Sequence, residues 1–112
     1  MADGDSRPDH LSRAEARRIV REIAADADRI VLHPHARMRL IQRAISVTQV
    51  RTAVRTGTIT DGPYLDDKDC WRVEMQGRAA GDALTVAIAI LWPQRLLVVT
   101  VYRVNEARKG RR

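Results

Sequence analysis

The spacing of apolar residues changes partway along this chain, and that change restricts the fold more than any single motif does. From Ile19 to Val54 apolar side chains recur at steps of three and four, the period of helices with one buried face. Trp71, Val73 and Met75 instead alternate with Arg72, Glu74 and Gln76, which predicts a strand with one wet face. Ala83 to Leu91 and Leu96 to Val104 are apolar on both faces, as central strands are, with Pro93-Gln94 joining them. Helices followed by a meander of strands predict an α+β domain, with N-terminal helices packed on a three- to four-stranded antiparallel sheet. At 112 residues and 45% apolar composition, one core is expected and a second domain is not.

Local signals mark the boundaries. Residues 1–11 are polar and read as a disordered lead, residues 12–104 as the single domain, and residues 105–112 as a basic tail. Ser12 and Glu15 have the spacing of a capping box, so the first helix should start there and run through Ile19, Val20, Ile23, Ala24 and Ala27 to Arg29. Ile30 to Leu32 reads as either a last turn or a short extended link. Pro34 suits the first turn of a second helix, which continues to about Ala44. Ser46 is expected to cap a third helix with inner face Val47, Val50 and Val54, ended by Gly57 in a left-handed conformation. Thr58 to Thr60 is a candidate edge strand, Asp61 to Asp69 a surface loop, and Gly77 to Asp82 a turn.

A net charge of +6 favours an anionic partner such as nucleic acid or an acidic protein. No apolar run approaches the roughly 18 to 20 residues of a spanning helix and the N-terminus is charged, so a cytoplasmic protein with no membrane partner is expected. The single cysteine, Cys70, excludes an intramolecular disulfide. Two Trp, two Tyr and no Phe make a poor base-stacking platform, so RNA recognition would lean on phosphates. His33 and His35 bring two imidazoles close, but His10 and Cys70 are the only other candidates of those types, and neither a metal nor a cofactor is expected. Gly-rich phosphate loops and a Gly-x-Ser-x-Gly elbow are both missing from the sequence.

Chemistry concentrates in the run from His35 to Ser46. On a helix, His35, Arg39 and Arg43 fall at steps of four and form one polar stripe beside Gln42, while Ala36, Met38, Leu40, Ile41 and Ala44 form the opposite arc. Arg37 falls inside that arc, where a buried salt bridge to Glu74 or Asp61 would satisfy it. Metal-independent RNA cleavage requires a group to take the 2′-hydroxyl proton, a group to protonate the leaving oxygen, and cations around the phosphorane. Imidazole changes charge closest to neutral pH, which makes His35 the natural acid or base. Arg37, Arg39 and Arg43 suit phosphate contacts. On the last strand, Thr100 and Tyr102 are expected on the face of Leu96 and Val98, with Arg103 on the other. If the second helix packs over that first face, Tyr102 reaches His35 as a proton donor or phosphate ligand. Simpler roles stand beside these: a histidine at a helix start ordinarily makes a hydrogen bond there, arginines four apart commonly form a solvated face, and Tyr102 can cap the core at its rim.

His35, Ala36, Arg37, Arg39, Arg43, Ile45 and Ser46, followed much later by Val99, Thr100, Val101 and Tyr102, resemble a family of small bacterial proteins of unknown function. Its signature is His-Ala-Arg-x-Arg-Met-x-x-Arg-Gly-Ile-Ser and its meander ends near Val-Thr-x-Tyr. The likeness spans roughly residues 30 to 104, with Leu40 in place of Met, Ala44 in place of Gly and Gln42 in place of the usual Glu. That family looks like a relative of RelE-like and BrnT-like toxins. The resemblance implies helices on an antiparallel sheet, RNA cleavage without a metal, and a cognate antitoxin encoded nearby that occludes the basic face. The function it implies is a ribonuclease toxin, with His35 and Tyr102 in proton transfer and Arg37, Arg39, Arg43, Thr100 and Arg103 on the substrate. A non-enzymatic RNA- or ribosome-binding module and a protein-interaction domain with a basic docking face are the alternatives.

Overall fold

The computed structural model describes residues 7–104. The expected tail, 105–112, and the first six residues of the expected lead lie outside the described residues. Helix α1 spans Arg13–Ala24, a 3-10 turn spans Ala27–Arg29, strand β1 spans Ile30–Leu32, and helices α2 and α3 span Pro34–Arg43 and Val47–Thr56. Strands β2 (Thr58–Leu65), β3 (Trp71–Ala79), β4 (Asp82–Leu91) and β5 (Arg95–Arg103) complete one sheet in the order β1-β5-β4-β3-β2. The α+β class is as expected, but the sheet has five strands and is mixed, because β1 pairs with β5 in parallel. Three residues are too few to display a period, so nothing in Ile30 to Leu32 announces a strand. What makes them one is the free edge of β5.

Capping explains the helices. Ser12 and Glu15 satisfy each other's backbone N–H groups at the start of α1. The donor from Ser12, first of all, holds the Glu15 carboxyl below the usual carboxylate range. The helix stops at Ala24 rather than Arg29, because Asp26 leaves the helical conformation and accepts the Asp28 N–H to cap the 3-10 turn. Pro34 occupies the first turn of α2, and Ser46 with Gln49 forms a second capping box at the start of α3.

The left-handed residue of this region is Ala44 at φ 54°, which ends α2; Gly57, expected to be left-handed, is extended at φ −79°. Glycine at 57 has a different cause: a Cβ there would lie 2.5 Å from the carbonyl oxygens of both Ala53 and Gln76. An L-residue in the left-handed region costs about 1–2 kcal/mol, so Ala44→Gly is expected to stabilise the protein by about 1 kcal/mol in urea unfolding. An unchanged midpoint would show that the backbone at 44 is relaxed.

The strands run further than their sequence suggests. Asp61 to Leu65, expected in a loop, belongs to β2, whose register slips twice against β3. That leaves Asp66 to Cys70 as the loop, where Asp66 accepts the Cys70 and Lys68 N–H groups. The first of these bonds chiefly holds the Asp66 carboxyl below its ordinary range. Similarly, β3 continues through Gly77 to Ala79, and the turn is only Ala80-Gly81, at φ 51° and 85°.

The three helices cover one face of the sheet. Ala16, Val20 and Ile23 of α1, Ala36 and Leu40 of α2, and Val50, Ala53 and Val54 of α3 form one core. The sheet meets them with Trp71, Val73, Met75, Leu84, Val86, Ile88, Ile90, Leu96, Val98 and Val101. Just before α1, Leu11 packs against this core and the Pro8 carbonyl accepts the Trp71 indole N–H. No helix among the described residues is long and apolar enough to cross a membrane.

Candidate functional site

Helix α2 is tied to strand β5 at both ends. The His33 N–H donates to the Val98 carbonyl where β1 ends, and the Arg43 guanidinium donates to the Val101 carbonyl. Since β1 pairs only with Leu96 to Val98, α2 takes over the flank of β5 where the parallel strand stops. His35 and Arg39 lie on the same side of α2 as Arg43, and both are exposed. The stripe predicted from the sequence therefore runs beside β5.

At the start of α2 the two imidazoles stack, with ring centroids 5.2 Å apart and planes at 10°. His33 is the N-cap: its Nδ1 accepts the His35 N–H at 3.1 Å. That bond needs the Nδ1 lone pair, so neutral His33 carries its proton on Nε2. His35 is left with its ring in solvent. Among the described residues no group of three His, Cys, Asp or Glu side chains is placed to hold a metal ion.

Arg37 does not sit in an apolar arc. Only Ala36 and Leu40 of α2 are buried, and Arg37, Met38 and Ile41 all face solvent. No ion pair with Glu74 or Asp61 forms among the described residues. A helix lying on a sheet edge needs only a narrow buried strip, so the wide arc read from the sequence overstated its inward face.

The last strand is also reversed relative to expectation. Ala87 faces Thr100 and Ile88 faces Val98, so Val99 is an extra residue, a β-bulge. Past it, Val101 takes over the helix-covered face, while Thr100 and Tyr102 turn to the other face and Arg103 turns inward. A bulge leaves no mark on apolar alternation when the extra residue is itself a valine next to a valine. Thr100 and Tyr102 therefore do not face the core side of α2, and no hydrogen bond joins Tyr102 to His35 among the described residues.

Arg103 works for the fold. Its guanidinium donates to the Arg43 carbonyl at 2.6 Å and the Ala44 carbonyl at 3.3 Å, and it pairs with Asp82 at 3.3 Å. It thereby serves the open carbonyl end of α2 and links it to the start of β4, where Asp82 also accepts from Gln49 of α3. Arg103→Met is expected to destabilise the protein by about 2–3 kcal/mol, read from urea unfolding. Arg103→Lys should recover less than half of that, because a point charge cannot span two carbonyls and a carboxylate. Full stability in the methionine variant would refute this role.

The sheet face without helices gathers polar residues from all four long strands. Register aligns Tyr64, Arg72, Ala89, Leu97 and Val31 in one row, Asp61, Glu74, Ala87 and Thr100 in a second, and Thr58, Gln76, Thr85 and Tyr102 in a third. Small residues line its centre along β4, and Thr85 is only 3% exposed although no helix covers it. The Arg72 Nε is buried and makes no hydrogen bond. The alternation of Arg72, Glu74 and Gln76 signalled a polar face, but only the strand order brings Thr100 and Tyr102 to it.

The profile of a domain of unknown function, DUF4258, matches residues 32–103, from the end of β1 to the end of β5. The chain belongs to the DUF4258 family. No curated protein and no solved structure matches it. In this DUF4258 domain the matched segment contains both α2 with its stripe and the strand to which it is tied.

Proposed function

We propose that this DUF4258 protein is an RNA-cleaving toxin of a toxin–antitoxin pair, related to the RelE-like and BrnT-like ribonucleases. The observation that carries this reading is the tie between α2 and β5. It sets the exposed His35 and Arg39 alongside the strand that bears Thr100 and Tyr102. The supported reaction is attack of a ribose 2′-hydroxyl on the adjacent phosphorus. His35 takes the hydroxyl proton, the O2′–P bond forms, and the P–O5′ bond breaks. The leaving O5′ takes a proton from water, and the His35 imidazolium returns one to the resulting hydroxide. Arg39 neutralises the phosphorane, Arg37 on the far flank of α2 contacts a phosphate further along, and Tyr102 and Thr100 contact the RNA beyond it. Arg43 and Arg103, committed to main-chain carbonyls, support the site from below.

Purified protein incubated with RNA in the presence of chelator should yield fragments ending in a cyclic phosphate. Intact RNA at high protein concentration would overturn the catalytic part. If RNA is then still bound, with affinity and salt dependence both reduced by Arg39→Ala, the protein is a binding module.

A further inference from the structure

Helix α2 presents an unusual surface directly away from the sheet. Ala36 and Leu40 bury one arc, and on the opposite arc Pro34, Met38 and Ile41 follow one another at steps of four and three. Ile41 is 81% exposed and Met38 56% exposed. Arg37 flanks this crest on one side, and His35, Arg39 and Gln42 flank it on the other, all exposed, with no acidic residue anywhere on the helix. The outer face of α1 is of the ordinary kind, with Arg17, Arg18, Arg21 and Glu22 in solvent. One exposed aliphatic side chain needs no explanation, whereas an aligned apolar crest between cations marks an interaction surface.

We infer that this crest docks an acidic polypeptide segment, whose apolar side chains cover Met38 and Ile41 while its carboxylates pair with Arg37 and Arg39. Charge selects that occupant. A second copy would set Arg37 and Arg39 against their own equivalents, and an RNA strand offers no aliphatic surface to cover Ile41. The inference rests on the proposed function only for its consequence: since His35 and Arg39 border the crest, a docked segment shields them from RNA.

The test begins with a random peptide library displayed on phage and panned against the full chain. Peptides that combine Asp or Glu with Leu, Ile or Phe are expected to be enriched. The best of them, made synthetically, is then titrated by fluorescence anisotropy into wild type, Ile41→Asp, Met38→Asp and Arg37→Glu. The aspartate variants should weaken peptide binding at least about tenfold, and Arg37→Glu should weaken it as well. Affinity of the uncharged variant Ile41→Ser for a single-stranded RNA oligonucleotide should match wild type, and thermal melts should show that these surface variants fold. Failure to enrich acidic apolar peptides, or equal peptide affinity in wild type and both aspartate variants, overturns the inference. So does a loss of RNA affinity in Ile41→Ser, which would assign the crest to RNA. A protein that binds the peptide at the crest but never cleaves RNA overturns the ribonuclease reading alone.

Discussion

His35→Ala is expected to lower the rate of RNA cleavage by at least about 100-fold, the loss that follows removal of a positioned proton-transfer group. RNA affinity should change little, because Arg37 and Arg39 remain, and so should stability, because the His35 ring faces solvent. The neighbouring imidazole permits a finer separation. His33→Asn keeps an N-cap acceptor for α2 and removes only the stacked imidazole, so it should preserve both folding and cleavage. Single-turnover cleavage of a labelled RNA, with binding measured on the same samples, distinguishes the two effects. Induced expression in a bacterial host is the cellular counterpart: growth arrest relieved by His35→Ala is the expected outcome. Undiminished cleavage by His35→Ala would remove the imidazole from the mechanism and turn attention to Tyr102 and Glu74 on the open sheet face.

Gly77→Ala should be strongly destabilising, costing about 3 kcal/mol. Its Cβ would sit 2.6 Å from the Ala53 carbonyl oxygen and 2.8 Å from the Ala53 Cα. Both are main-chain atoms of α3, so no rotamer change relieves the clash and the helix must lift off β3. Gly81→Ala is the matched control. Nothing lies within 4 Å of its Cβ position, and only the positive φ of 85° opposes it, which limits the cost to about 1 kcal/mol. Urea unfolding of the two variants should therefore rank Gly77→Ala well below Gly81→Ala; the reverse order would mean that α3 and β3 are not packed this closely.

The contrast between these glycines shows how far local chemistry reads through to structure. Both sit in a stretch whose composition reads as a turn, yet only Gly81 turns the chain, and Gly77 lies mid-strand against a helix. The same limit appears at Gly57, present because α3 and β3 approach it from both sides, and at Ala44, which adopts the conformation expected of a glycine. Within the site, the His35–Arg39–Arg43 stripe was legible because helical period alone aligns residues four apart. Arg37 was misread because a wheel shows an arc, and only packing shows how much of the arc is covered. The facing of Thr100 and Tyr102 was hidden by one extra residue at Val99.

By itself the sequence determined the α+β class, the capped starts of the first and third helices, the Pro34 start of the second, the two long apolar strands and the basic stripe of α2, since each depends on interactions within a few residues. Tertiary structure alone decided that Ile30 to Leu32 is a strand, that β5 changes face at its bulge, that Arg103 serves the end of α2, and that Met38 and Ile41 face water. Those outcomes depend on which surfaces meet across the fold. Hydrogen-bond partners and covering side chains supplied from some 60 residues away leave no periodic trace in the segment they act upon.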